Sequence, residues 1–312
     1  MRSSFLAGLT AALAMGVQAQ TLPTITTKGS YFFTSTGQRW FVKGMFVPPG
    51  QAVAHTNSIP GIAYQLSEAD PLLNTAQCTM DANLMKSLGA NAIRVYHVDS
   101  SQDHSGCMTA FANAGIYLFV DLDTFSTYIL QDAPAWNSTQ QSAYEAVMDE
   151  FQKYPNTAGF FIGNEVLTDP TKTEVAVYIK EAVTNLKAYE KSKGYRTIPV
   201  GYSHADVSSL RPNFQNYLAC GGNSSESIDF FGLNSYEWCG SSSYMQSGYQ
   251  TLTQEVMQYP IPIFFSETGC NTPEPRTFAD QSAIFGPQMD PYWSGSIIYE
   301  VSCVMWRTIR PY

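Results

Sequence analysis

The chain has 312 residues, 44% of them hydrophobic and 14% charged, with a formal net charge of −9. That is enough apolar material for one large core in one domain. The acidic balance, without any basic run, excludes a nucleic-acid partner, whose phosphates demand clustered Lys and Arg.

The chain opens with Arg2, a small apolar run from Phe5 to Val17, and the small-x-small site Val17-Gln18-Ala19. This reads as a secretory signal over residues 1–19, followed by a mature chain from Gln20. The run is too short to span a bilayer. In a secreted chain the six cysteines Cys78, Cys107, Cys220, Cys239, Cys270 and Cys303 imply disulfides, and none forms a C-x-x-C pair. Together with four scattered histidines, His55, His97, His104 and His204, this predicts no metal site, and no cofactor motif appears.

Short apolar segments then recur along the chain. Candidate strands fall at Trp40–Phe46, Asn91–Tyr96, Ile116–Leu122, Gly159–Gly163, Thr197–Gly201, Phe230–Asn234, Ile261–Ser266 and Gly295–Tyr299. Helical patterns lie between them. Asp81–Leu88 carries Leu84, Met85 and Leu88 on one face and stops at Gly89. Glu174–Lys193 aligns Val175, Ile179, Ala182, Val183 and Leu186 and stops at Gly194. Strands alternating with helices predict a parallel sheet, and eight of them predict an α/β fold closed as a (β/α)8 TIM barrel over residues 20–300. Asn137-Ser138-Thr139 and Asn223-Ser224-Ser225 are N-glycosylation sequons. Residues 301–312 form a tail with no amphipathic stripe, so the barrel is expected to lack a proper eighth helix. The end of that tail, Trp306 to Tyr312, carries no lipid-anchor signal.

Two of the strands carry the chemistry. Gly159-Phe160-Phe161-Ile162-Gly163-Asn164-Glu165 and Pro262-Ile263-Phe264-Phe265-Ser266-Glu267 are apolar runs that each end in a glutamate. In a parallel barrel these carboxylates emerge at the C-terminal mouth, where active sites lie. Two carboxylates on different strands suit retaining glycosidic-bond chemistry, one as general acid/base and one as nucleophile. A Ser-His-Asp hydrolase is disfavoured, since no G-x-S-x-G elbow is present. Asp121 and Asp123 follow another strand end and rank lower as ligands of sugar hydroxyls.

Five segments in order resemble glycoside hydrolase family 72, the β-1,3-glucanosyltransferases of fungal cell walls. They are Val42-Lys43-Gly44, Ala92-Ile93-Arg94-Val95-Tyr96, Ile162-Gly163-Asn164-Glu165-Val166, Phe265-Ser266-Glu267-Thr268-Gly269-Cys270-Asn271, and Trp293-Ser294-Gly295 to Tyr299-Glu300. The resemblance implies a retaining mechanism with Glu267 as nucleophile and Glu165 as acid/base. It implies substrate contacts from Tyr96, Asn164, Asp206, Arg211, Tyr236, Tyr299 and, more weakly, Gln51. Tyr236 is further expected to donate to Glu267. Disulfides Cys78–Cys107 and Cys239–Cys270 are implied, with the partner of Cys220 further downstream than this chain reaches. The implied partners are a β-1,3-glucan donor and acceptor, at the cell surface or wall, where family members are usually held by a lipid anchor. A retaining β-1,3-glucan hydrolase of the same fold, or a truncated product that only binds glucan, remains an alternative. The tail after Glu300 departs from the family pattern.

Overall fold

The computed structural model of the chain describes residues 22–45, 70–124, 126–270, 272–273 and 276–299. The expected leader, Gln51, Cys303 and the tail, with the expected lack of an eighth helix, lie outside these residues.

The described chain begins with a small antiparallel sheet of β1 (Ile25–Lys28), β2 (Tyr31–Thr34) and β3 (Arg39–Trp40), which the sequence reading did not foresee. Eight strands follow: β4 (Val42–Met45), β5 (Ala92–Val95), β6 (Tyr117–Asp121), β7 (Thr157–Asn164), β8 (Val200–Ala205), β9 (Phe230–Ser235), β10 (Ile263–Thr268) and β11 (Gly295–Ile298). Each pairs in parallel with its neighbours, and β11 pairs with β4, so the sheet closes as a barrel. The helices between and after these strands are α1 (Thr75–Ser87), α2 (Ser105–Ala114), α3 (Ser138–Phe151), α4 (Val175–Lys193), α5 (Arg211–Ala219), α6 (Tyr249–Val256) and α7 (Ala279–Ile284).

The local signals explain most boundaries. Helix α4 buries Val175, Ile179, Ala182, Val183 and Leu186 and ends on Gly194 at φ 66°, as its pattern predicts. Helix α1 starts six residues before the expected Asp81, because the Asn74 side chain accepts from the Gln77 amide and caps an otherwise weakly patterned first turn. Strand β8 runs later than expected. Ile198 N donates to the Glu190 carboxylate at 2.8 Å and Val200 N to Asp229 at 2.9 Å, so the ladder begins only at Val200. It then continues through Ser203 and His204, polar residues that are fully buried inside the fold.

The barrel interior is graded from bottom to top. At the N-terminal end Ile25, Phe32 and Trp40 from the small sheet close the floor against Phe119, Phe161, Phe230 and Phe264. Phe32 sits edge-on or tilted to Phe119, Phe230 and Phe264 at 5.7–6.1 Å. Gly201 makes room for this layer, since a β-carbon there would lie 2.3 Å from the Phe230 ring. Above the phenylalanines the inward side chains turn polar: Arg94, Asp121, Ser203, Asn234 and Ser266, all buried. Two disulfides brace the outside, as the resemblance implied. Cys78–Cys107 joins α1 to α2, and Cys239–Cys270 joins the loops after β9 and β10, with Cα atoms 5.2 and 5.1 Å apart. Cys220 is exposed and bonded to no described cysteine.

Candidate active site

Arg94 organises the polar layer. A guanidinium at 2% exposure must be fully paired, and it is. Its Nε and Nη2 donate to the two oxygens of Asp121 at 2.9 and 2.6 Å, a bidentate fork. Nη1 donates to Ser203 Oγ at 2.9 Å and Nη2 to Asn164 Oδ1 at 3.1 Å. Nη1 also lies 3.5 Å from Glu267 Oε1. The guanidinium carbon stands 4.4 and 4.2 Å from the ring centres of Tyr96 and Phe161. Asp121 is thereby consumed as a counter-ion.

Asn234 is the second hub. Its Nδ2 donates to Asn164 Oδ1 at 3.0 Å and to Glu165 Oε1 at 2.8 Å. Its Oδ1 accepts from Ser203 and Ser266 at 2.9 and 2.8 Å. These contacts fix the amide orientation of Asn164. Its oxygen takes donors from Arg94 and Asn234, so its NH2 group points away from the network, as a donor on a residue that lines the cleft.

Glu267 reaches this layer through a bulge. Between Phe265 and Glu267, β10 advances two residues while β9 advances one, from Leu233 to Asn234. The extra residue lets both Ser266 and Glu267 face the barrel mouth. Glu267 is 8% exposed. Tyr96 donates to its Oε1 at 2.6 Å and Tyr236 to its Oε2 at 2.5 Å. Burial pushes the carboxyl above its ordinary value, and the charge of Glu165 adds to this. The Arg94 guanidinium and the two phenols act in the opposite direction. Both phenols are themselves raised by burial and by the Glu267 charge, so they remain protonated donors.

Glu165 sits differently. It is half-buried and borders a cleft of about 530 Å³ lined also by Tyr96, Asn164, Asp123 and Tyr128. Its backbone lies at φ 51°, in the left-handed region. A non-glycine residue there costs roughly 1–2 kcal/mol. The turn is held by Glu165 N on Ser203 O at 2.9 Å and by Val166 N on the buried Tyr202 hydroxyl at 2.8 Å. Strain of this kind aims a side chain.

The other expected residues divide. Tyr96, expected on sugar, has its hydroxyl on Glu267. Tyr236 is on Glu267 as expected, and is still 40% exposed, so its ring also faces the opening. Tyr299 stands edge-on to Tyr236, with ring centres 6.0 Å apart. Asp206 accepts from Ser235 at 2.8 Å and pairs with Arg211, which also reaches Glu255 at 3.3 Å. That pair is mostly buried, and Ser235, which donates to it, adjoins Asn234 in the chain. Sequence reasoning assigned no role to Arg94, Asn234, Ser203 or Ser266. A charge inside Ala92-Ile93-Arg94-Val95 was the available signal, because a buried strand tolerates an arginine only with a partner. Among the described residues no cluster of His, Cys, Asp and Glu could hold a metal ion.

Two outcomes follow from this geometry. Tyr236→Phe removes a donor to the Glu267 carboxyl, a bond worth about 1.5–3 kcal/mol when that group is charged. If Glu267 is the reacting carboxylate, turnover should fall roughly 10- to 150-fold, with substrate binding much less affected. Steady-state kcat beside a direct measurement of substrate binding checks this, and unchanged kcat would assign Tyr236 to packing. The second concerns pH. If Glu267 acts as a nucleophile it must be ionised, and its carboxyl is raised above the ordinary 4.5. Protonation therefore begins at higher pH than for an exposed glutamate, and the acid limb of kcat/KM should lie above 4.5. A limb at or below that value would contradict the assignment.

Comparison with known proteins converges on one family. The family description "Glucanosyltransferase" matches residues 14–304. The chain is 43% identical to 1,3-beta-glucanosyltransferase gas2 of Schizosaccharomyces pombe over 285 residues, 89% of this chain and 60% of that protein. It is 40% identical to pH-responsive protein 2 of Candida albicans, over 91% of this chain and 50% of that one. Among solved structures, a glutamate-to-glutamine mutant of Saccharomyces cerevisiae Gas2p in complex with laminaritetraose and laminaripentaose superposes with a TM-score of 0.81 at 36% identity, covering 91% of this chain and 61% of that one. The chain thus spans about half to three-fifths of the length of these curated relatives. With its closed eight-stranded barrel and a family match over most of its length, the chain belongs to the glucanosyltransferase family, glycoside hydrolase family 72.

Proposed function

We propose that this chain is a β-1,3-glucanosyltransferase, which cleaves a β-1,3-glucan with retention and passes the new end to a second β-1,3-glucan during cell-wall remodelling. One observation carries the reading. Two carboxylates share the barrel mouth, linked through Asn234 and Arg94, yet stand in opposite settings. Glu267 is buried, immobilised by two phenols and a guanidinium. Glu165 is on a strained turn at the edge of the open cleft.

In this reading Glu267 attacks the anomeric carbon and Glu165 protonates the leaving oxygen. A glycosyl-enzyme forms on Glu267. Glu165, now ionised, takes the proton from an incoming glucan hydroxyl, and that hydroxyl displaces Glu267. The outward NH2 of Asn164 is placed to donate to the sugar 2-hydroxyl, a contact that strengthens in the transition state. Tyr299 and the Asp206–Arg211 pair flank the sugar path, and Gln51 is assigned to its donor side. The same reading places the chain outside the cell, at the surface or wall, with residues 1–19 as a leader and residues 20–300 as the catalytic barrel. Asn137 and Asn223, both exposed, are its glycan acceptors.

Product analysis on a reduced laminari-oligosaccharide tests the proposal. Transfer gives products longer than the substrate, whereas water as acceptor gives only shorter ones and would make the chain a hydrolase. No turnover with retained binding would make it a glucan-binding product.

A further inference from the structure

His104, the residue before α2, does not line the cleft and has no part in the reaction scheme. Its ring is fully buried and packs against Phe151, with ring centres 4.8 Å apart. Each ring nitrogen meets a carboxylate. Nε2 lies 2.7 Å from Asp70 Oδ2, and Nδ1 lies 3.0 Å from Glu150 Oε1. The two acids belong to separate stretches of chain, Asp70 ahead of α1 and Glu150 in the last turn of α3.

Counting donors fixes the state of the ring. A neutral imidazole has one N–H, so it can serve one acid and must turn a lone pair on the other. Two such contacts in a buried place therefore call for an N–H on both nitrogens. The surroundings of the acids keep that proton on the ring. Asp70 accepts from Leu72 N and Asp99 N at 2.8 and 2.7 Å, and Glu150 accepts from Lys153 Nζ and the Tyr154 hydroxyl at 2.7 and 3.0 Å. The exposed Asp99 and Asp103 add negative charge around the ring, and Lys153 is a counter-charge on Glu150. Burial acts to lower the His104 pKa, but the bonds to Asp70 and Glu150 and their charges outweigh it, and the net direction is upward from 6.5.

We propose that His104 is a proton-operated clasp. As an imidazolium it ties Asp70 to α3, and with Asp70 the β5–α2 connection, which Asp70 holds through Asp99 N. As a neutral imidazole it lets one of the two acids go. The connection starts at Tyr96, so the clasp steadies from its far end the loop that carries a donor to Glu267. The sign follows from linkage. A base whose folded pKa is raised contributes its stability in full below the unfolded value, about 6.5, and loses it as pH climbs through the folded value. The clasp is thus closed in acid and opens above 6.5 as the ring gives up its proton.

The first test needs no variant and no substrate. Ring-nitrogen NMR shifts of the intact protein should show both His104 nitrogens protonated in mild acid and half-titration above 6.5. Half-titration at or below that value would overturn the clasp. The second test compares urea unfolding of the parent and Glu150→Gln from about pH 5.5 to about pH 9. In Glu150→Gln the amide can donate to Nδ1 while Nε2–H serves Asp70, so the pairing survives with a neutral ring. Over this range the folding equilibrium constant of the parent should fall about tenfold or more relative to the variant, the worth of one charge-assisted bond. Exchange of the Asp99 N–H, corrected for its intrinsic pH dependence, should lose protection by a similar factor in the parent and keep it in the variant. Parallel pH curves for the two proteins would overturn the proposal, and so would Asp99 protection that does not change across the range. If Glu150→Gln fails to fold, the ring titration and the Asp99 exchange of the parent decide.

Discussion

On the proposed reading, Glu165→Gln and Glu267→Gln should each cut transfer severely, and they should fail differently. General acid–base catalysis contributes about 10²–10⁴-fold, so natural glucan turnover by Glu165→Gln should fall by that order or more. A glucan carrying a dinitrophenyl leaving group needs no proton to depart. With it, Glu165→Gln should complete the first step and accumulate a glycosyl-enzyme whose added mass maps to Glu267, because no base remains to activate the acceptor. Glu267→Gln should show no such adduct and no burst with either substrate. Both variants should fold, since Asn234 can donate to the amide oxygen at position 165 as it does to the carboxylate, and an amide at position 267 keeps an oxygen for one of the two phenols. An adduct mapping to any other carboxylate would reverse the assignment of roles.

Arg94→Met should be the most damaging change away from the two glutamates. It leaves Asp121, at 2% exposure, without the fork that neutralises it, and takes the cation from beside Glu267. Breaking one side of a buried ion pair costs about 3–5 kcal/mol. The urea midpoint should drop accordingly, with m unchanged. Remaining activity should show its acid limb shifted to still higher pH, because Arg94 is the main influence lowering the Glu267 carboxyl. Arg94→Lys should recover part of the stability but little of the rate, as an ammonium cannot reproduce the bidentate contact while also reaching Ser203 and Asn164. An unfolding free energy within about 1 kcal/mol of the parent would mean that the surrounding groups neutralise or hydrate readily, and that the network is less coupled than its geometry indicates.

These residues also mark how far the sequence could be read. The eight barrel strands were legible because each is a short apolar run, and the glutamates because they interrupt such runs at the end where a parallel barrel opens. Strand β8 was cut short because Ser203 and His204 look like solvent-facing residues until the polar layer that buries Ser203 is seen. The β1–β3 sheet escaped notice because its strands are two to four residues long and mix Thr, Lys and Arg with a few rings. Its role depends on Phe32 meeting Phe119, Phe230 and Phe264 from distant parts of the chain. Tyr96 could be placed at a strand end, but not on Glu267, which lies 171 residues away. Such partners are products of closure, and a local pattern does not contain them.

The left-handed backbone at Glu165 has a consequence for how this chain responds to selection. Glycine would occupy that φ without penalty, so relief of about 1–2 kcal/mol would offset the extra chain entropy it adds, roughly 0.4–1 kcal/mol. A search for heat-resistant descendants that scored survival of the fold alone would therefore find Glu165→Gly acceptable or even advantageous, and would deliver a robust barrel that, on the proposed reading, has lost its general acid. Durability and activity pull in opposite directions at this single position, and any programme of laboratory evolution on this scaffold has to score both together.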